Sequence, residues 1–188
     1  MIAICIGHSR PGDGGAVSWG GISEHAYNLQ LGRMVVAELL QRGLPATLIS
    51  AYEGGGYGEA MQWLAAEHRR INAQVTVELH FNSADNPAAG GHEWLFWATS
   101  LQGRFLAQAL ERLMASAFPA LARRGIKSIR GRTDRGSGYL RLTPCPAVIC
   151  EPFFGSCPAD WQMAVDHQER IAAVIAGGLA EWLGGQAP

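Results

Sequence analysis

Three short apolar runs in this sequence lead directly to a histidine or a glutamate: IAICIGH reaches His8, VTVELH ends on His80 and AVICE ends on Glu151. Apolar runs of this length, bounded by glycine, proline and asparagine, read as buried strands. Between them the apolar spacing changes to that of helices. Strands and helices in alternation predict an α/β fold, a sheet with helices packed on its faces.

The elements follow from local signals. Ile2 to Ile6 is a strand that ends in the glycine-rich loop GHSRPGDGGAVSWGGIS. Ser23 is placed to cap a helix from Glu24 to about Gln41, and Gly43 stands where a helix terminator belongs. Leu44 to Ser50 reads as a strand, AYEGGGYG as a loop and Glu59 to Asn72 as a helix. Val75 to His80 and His92 to Ala98 read as strands. Ser100 to Ala117 reads as a long helix with Phe105, Leu106, Leu110 and Leu113 at helical spacing. Arg123 to Arg141 reads as a basic loop, Ala147 to Cys150 as a buried strand and Trp161 to Leu183 as the last helix. No repeat, linker or low-complexity segment divides the 188 residues, so residues 1–188 are expected to be one domain with no second module for anchoring to a target.

Composition narrows the partners. The formal net charge is -1, so nothing suggests wholesale binding to nucleic acid or to an anionic membrane surface. The basic run Arg123, Arg124, Lys127, Arg130, Arg132 and Arg135 reads as a solvated loop, with contact to anionic substrate groups as the alternative. No apolar stretch is long enough to span a bilayer. The chain opens on a strand with no basic leader, so no signal peptide is expected. Cys5 and Cys150 lie in apolar runs. Cys145 or Cys150 could pair with Cys157, but reduced thiols are the expectation. The chain is expected to be a monomer.

The polar residues at the strand ends carry the chemistry. Sites in open α/β sheets form at the carboxyl ends of strands, where His8, His80 and Glu151 lie. Glu24, in the first turn of the first helix, faces the same loop. Two imidazoles and a carboxylate form a common catalytic zinc set, with a water in the fourth position. Such a centre needs a separate carboxylate to move protons, and Glu151 is placed for it. Asn28 shares a helix face with Glu24 and could hold its carboxylate from behind. A single histidine at a strand end is more often structural than ligating, and Asp13 and Asp85 remain alternatives to Glu24. Glu78 shares a sheet face with His80, either supporting it or solvated. His25, His68 and His167 read as surface residues.

The segments GHSRPGDGG, SEHAYNLQLG, VELHFNSAD, GGHEWLFW and ICEPFFGS follow one another as the motifs of the amidase-3 type do. From Met1 to about Leu183 the chain resembles that family, the zinc-dependent N-acetylmuramoyl-L-alanine amidases, some of them phage or prophage lysins. The resemblance implies a phosphorylase/hydrolase-like three-layer sandwich with a mostly parallel mixed sheet between helices. It implies hydrolysis of the amide between N-acetylmuramic acid and L-alanine in peptidoglycan. The first zinc histidine of the family falls on His8 and its zinc glutamate on Glu24, ahead of Asn28 and Leu29. Its second histidine, in S-x-H-x-N, falls on His80, ahead of Asn82. Its catalytic glutamate falls on Glu151, ahead of Phe154, and a recurrent glutamate with a structural or positioning role falls on Glu93.

The sequence departs from the family at Ser9 and Arg10, which replace a glycine pair, at Leu79, where isoleucine is usual, and at Pro152, which replaces a small polar residue. The chain is also too short for the autoinhibitory helical insertion of some members, so an open site is implied. Trp19 and Tyr139, both in glycine-rich segments, are candidates for stacking on sugar rings. The His, Glu, His order by itself also fits another zinc amide hydrolase of carboxypeptidase-like or deacylase type. A catalytically inactive wall-binding module would keep the groove and lose the ligands, yet all four functional positions are filled here. Such an enzyme, made in the cytoplasm, would meet the wall after phage-type export or act on recycled muropeptides.

Overall fold

The computed structural model describes residues 1–52 and 54–185; Glu53, in the loop AYEGGGYG, and residues 186–188 lie outside that description. Six strands form one sheet: β1 (Ile2–Ile6), β2 (Ala46–Ile49), β3 (Val75–Leu79), β4 (His92–Trp97), β5 (Arg123–Ile129) and β6 (Ala147–Glu151). Their spatial order is β2-β1-β3-β6-β4-β5. The four strands β2, β1, β3 and β6 run parallel, β4 runs antiparallel to β6, and β5 runs parallel to β4. The helices are α1 (Glu24–Gln41), α2 (Tyr57–Arg70), α3 (Leu101–Ala117), α4 (Ser137–Leu142), α5 (Pro158–Asp166) and α6 (Gln168–Gly184). The fold is the expected mixed α/β sandwich.

Alternation along the strands builds two cores. Ile2, Ile4, Ile6, Val75, Val77, Leu79, Val148 and Cys150 turn to one face, where α1, α3, α5 and α6 cover them. Ala3, Cys5, Leu95 and Ile149 turn to the other, under α2 and α4. The parity that sends Leu79 and Cys150 into the first core sends Glu78, His80 and Glu151 to the second face. The buried strands are apolar nearly throughout because both faces of the sheet are covered.

Local signals set most helix ends. Ser23 caps α1 by accepting a hydrogen bond from the Ala26 N–H. Gly43 takes a left-handed φ of 74° just beyond the helix.

The segment 123–141 is not one loop. It contains edge strand β5 and most of the short helix α4. Edge strands are often charged, and the RRGIKSI composition of β5 hides its pairing. The last helix is two: Pro158 starts α5, and a break at His167, with φ -129°, separates it from α6. His68 is 1% exposed rather than on the surface, because Met61, Leu64, Ala65 and His68 form the buried stripe of α2. No helix among the described residues is long and apolar enough to cross a membrane. The cysteines Cys5, Cys145, Cys150 and Cys157 are free thiols.

Candidate active site

His8, Glu24 and His80 come from three separate elements. His8 follows β1 in a left-handed backbone conformation, with φ 56°. A non-glycine residue held there stores backbone strain of about 1–3 kcal/mol, which its surroundings must offset. Gly7 permits the approach of His80: an added Cβ would lie 2.2 Å from His80 Cε1. Gly15, at φ +70°, is required in a similar way, since a Cβ there would meet Glu24 Oε2 and His8 Cδ2 at 2.7 Å.

Glu24 is the centre of the group and is 4% exposed. Its Oε1 accepts from the Phe81 N–H at 3.2 Å and lies 2.8 Å from His80 Nδ1. Its Oε2 accepts from the Ala16 N–H at 3.1 Å and lies 3.4 Å from His8 Nε2. Burial works against the Glu24 charge, but hydrogen bonds with His8 and His80 outweigh it and take the carboxyl down to about 2. Burial likewise works against a charged His80, and Glu24 and Glu78 outweigh it, lifting the imidazole to about 10.

One ligand atom from each of His8, Glu24 and His80 lies within 4.8 Å of the others. Zinc takes nitrogen and oxygen donors at about 2.0–2.2 Å, and these three side chains would draw together around it. The donor chemistry fits as well, since a divalent cation can take the place of the protons that the carboxylates would otherwise hold on the imidazoles.

Beside this cluster stands a second one. The register pairs Glu93 of β4 directly with Glu151 of β6. Asn82 Nδ2 donates to Glu93 Oε1 and Glu151 Oε2, both at 2.7 Å. Arg135 Nη1 donates to the two Glu151 oxygens at 3.2 and 3.1 Å, and its Nη2 donates to Glu93 Oε1. Arg124 Nε donates to Glu93 Oε2 at 3.0 Å. Burial raises the Glu151 carboxyl to about 7, with the Arg135 and His80 charges opposing and Glu93 adding to the rise. For Glu93, burial is outweighed by Arg135 and Arg124, and its pKa falls. One carboxyl is thus held ionised while its neighbour is poised near neutrality. Both clusters line one cavity of about 260 Å³ with His8, Glu24, His80, Asn82, Arg135 and Glu151 on its walls.

The structure brings together His8, Glu24, His80, Glu151, Asn82 and Glu93. It does not bring Asn28 to Glu24. Asn28 is fully buried, and neither polar atom of its side chain has a hydrogen-bond partner among the described residues. Tyr139 is 1% exposed, with its hydroxyl 2.7 Å from Thr76 Oγ1, so it is closed to a sugar ring. It lies on α4, a helix of only six residues in a segment whose sequence reads as a loop. Trp19 is 65% exposed on the turn between Ser18 and Ile22, which Trp19 N–H ties to the Gly155 carbonyl at 2.7 Å. Asp13 is not a substitute for Glu24 but a partner of His8, at 2.9 Å from its Nδ1.

Arg124 and Arg135 are the site residues that sequence reasoning missed. In the sequence they belong to the basic run, which reads as a solvated loop. The signal that could have found them is electrostatic: two glutamates at adjacent strand ends need a cation between them.

A family model described as N-acetylmuramoyl-L-alanine amidase matches residues 2–181. Solved structures are similar over nearly the whole chain. N-acetylmuramoyl-L-alanine amidase AmiC2 of Nostoc punctiforme is 25% identical, with 98% of this chain and 97% of that chain covered and a TM-score of 0.81. The catalytic domain of CwlV, an N-acetylmuramoyl-L-alanine amidase from Bacillus (Paenibacillus) polymyxa var. colistinus, is 25% identical, with 98% and 99% covered and a TM-score of 0.77. The catalytic domain of the CD27L endolysin, which targets Clostridia difficile, shares the fold at 22% identity, with 96% of each chain covered and a TM-score of 0.80. No curated protein matches the chain.

Proposed function

The chain belongs to the N-acetylmuramoyl-L-alanine amidase family, and from that premise we propose that His8, Glu24 and His80 hold a catalytic zinc ion while Glu151 moves the protons. The reaction is hydrolysis of the amide that joins N-acetylmuramic acid to L-alanine in peptidoglycan. The observation that carries the site assignment is the convergence of the three ligand atoms within 4.8 Å, on the wall of the cavity that also holds Glu151.

When bound, zinc supplies Lewis acidity, polarising the amide carbonyl and lowering the pKa of a water. Glu151 takes a proton from the attacking water as the C–O bond forms. As the C–N bond breaks, it returns that proton to the L-alanine nitrogen. The products are a lactyl carboxylate on the sugar and a free amine on the peptide. A carboxyl near neutrality suits both halves of this exchange. Asn82 and Arg135 fix the Glu151 carboxylate in place, and Glu93 anchors them both. Trp19, exposed on the loop that joins His8 to Glu24, offers an aromatic face for a sugar ring.

We further propose a single catalytic domain that works as a monomer and meets the wall as an endolysin does. The family match over residues 2–181 supports the one domain, and the likeness to an endolysin catalytic domain supports the route to the wall. The test is digestion of purified peptidoglycan with and without chelator and added zinc, with the new ends identified by mass spectrometry. Zinc-dependent release of intact stem peptides with free L-alanine amines is the expected result. A cut within the stem peptide, or activity indifferent to chelator, overturns the reading.

A further inference from the structure

The two nitrogens of His80 face two different carboxylates. Its Nδ1 lies 2.8 Å from Glu24 Oε1, in the proposed zinc cluster. Its Nε2 lies 3.2 Å from Glu78 Oε2. Glu78 precedes His80 by two residues, so strand alternation puts both on the sheet face covered by α2 and α4. The Glu78 side chain is only 7% exposed, and among the described residues His80 is its one ion-pair partner.

A histidine that gives one nitrogen to a metal keeps a proton on the other. In a buried place that N–H needs an acceptor, and the carboxylate facing it is Glu78, with Oε2 at 3.2 Å. A carboxylate also needs compensation when buried, and the polarised imidazole supplies it. His8 has a matching arrangement, with Nδ1 at 2.9 Å from Asp13 Oδ1 and Nε2 towards Glu24. The two supports differ in strength. Asp13 is a quarter exposed and shares its carboxylate with Arg10 at 2.6 Å. Asp13 thus divides its two oxygens between Arg10 and His8. Among the described residues Glu78 pairs with no arginine or lysine, and its one ion-pair partner is His80.

We infer that Glu78 is the positioning residue of the metal centre: it accepts the Nε2–H of His80, turns Nδ1 towards the ion and sets how tightly the site holds zinc. A carboxylate behind a ligating imidazole fixes its tautomer and raises its basicity. The inference rests on the zinc reading of His8, Glu24 and His80.

Two measurements test it. The first uses the unaltered protein, labelled with ¹⁵N-histidine and loaded with ¹¹³Cd in place of zinc. The expected spectrum shows metal coupling at His80 Nδ1 and a protected, hydrogen-bonded proton at Nε2. Metal coupling at Nε2 overturns the inference. The second is zinc affinity by competition with a chromophoric chelator. Glu78→Gln, nearly isosteric, should bind zinc about 10- to 100-fold more weakly, and Asp13→Asn should lose less. Equal affinity in Glu78→Gln and the parent protein also overturns it. If the parent protein itself binds no zinc, the zinc reading falls and takes this inference with it. If the parent binds zinc and Glu78→Gln binds it equally well, only the role of Glu78 falls. Circular dichroism checks the fold of Glu78→Gln, and the labelled parent protein decides the matter if that variant does not fold.

Discussion

Glu93 and Glu151 face each other across the antiparallel pair of β4 and β6, with the Asn82 amide donating to both at 2.7 Å. Like charges directly opposite on a sheet repel. Here Arg135 reaches both carboxylates, and the pair resolves into one ionised group and one near neutrality.

Arg135→Gln should therefore shift the pH dependence of activity. Glu151 must be ionised to take a proton, so kcat/KM rises as pH passes about 7. The Arg135 charge works against that raised value. Without it, the acidic limb of the profile should move to higher pH, with a larger loss of activity at pH 6 than at pH 8. An unmoved limb contradicts the role given to Arg135. Because Arg135 is half exposed, the accompanying stability loss should be modest, about 1 kcal/mol after solvent screening.

The same raised pKa makes a stability prediction. A carboxyl lifted from 4.5 to about 7 by folding stabilises the fold while it is protonated. That contribution is complete below pH 4.5 and is lost as pH rises through about 7. Glu151→Gln removes the penalty of ionising a buried group. Its melting temperature, relative to the parent protein with zinc removed from both, should therefore rise between pH 5 and about pH 7 and level off above that. A gap that does not change with pH contradicts the assignment.

Gly7→Ala should damage the metal centre without touching a ligand. The added methyl would sit 2.2 Å from His80 Cε1, and the ring must move. Overpacking of this kind costs about 1–3 kcal/mol. Zinc content by elemental analysis should fall together with the melting temperature. Full zinc occupancy in Gly7→Ala contradicts the placement of His80.

Removal of the ion should destabilise the fold. A ligand that binds only the folded chain adds about 2.7 kcal/mol at a hundred times its Kd. Chelator should lower the melting temperature, and added zinc should restore it. His80→Ala should show neither response.

Two aromatic residues make a contrasting pair. Trp19→Ala removes a ring that is 65% exposed, so stability should change by less than about 0.5 kcal/mol. If the ring stacks on sugar, KM for glycan substrates should rise roughly fivefold, about 1 kcal/mol. Tyr139→Phe removes a buried hydroxyl bonded to Thr76 and should cost about 1 kcal/mol of stability with KM unchanged. The reverse pattern would put Tyr139 at the substrate and Trp19 outside it.

The strands that lead to His8, His80 and Glu151 were legible in the sequence because both faces of that part of the sheet are buried and the runs are mostly apolar. The capped start at Ser23 placed Glu24 for the same local reason. Strand β5 was not legible, because an edge strand rich in arginine has the composition of a loop. The pairing of Arg124 and Arg135 with the glutamates depends on register across the sheet, and no local pattern encodes that. His68 could have been found: it completes the spacing of Met61, Leu64 and Ala65 on α2, but its neighbours Glu67 and Arg69 suggested a surface. Asn28 keeps helical register with Glu24, yet its buried amide meets no partner among the described residues, and we have no physical account of that.

The central claim divides the site into three residues that hold the ion and one that moves protons. The most direct test is to measure zinc content and turnover together in Glu151→Gln. Full zinc occupancy and a fall in kcat of about 100- to 10,000-fold are expected. Near-parental turnover with zinc in place would contradict the role of Glu151, and loss of the zinc would contradict the division itself.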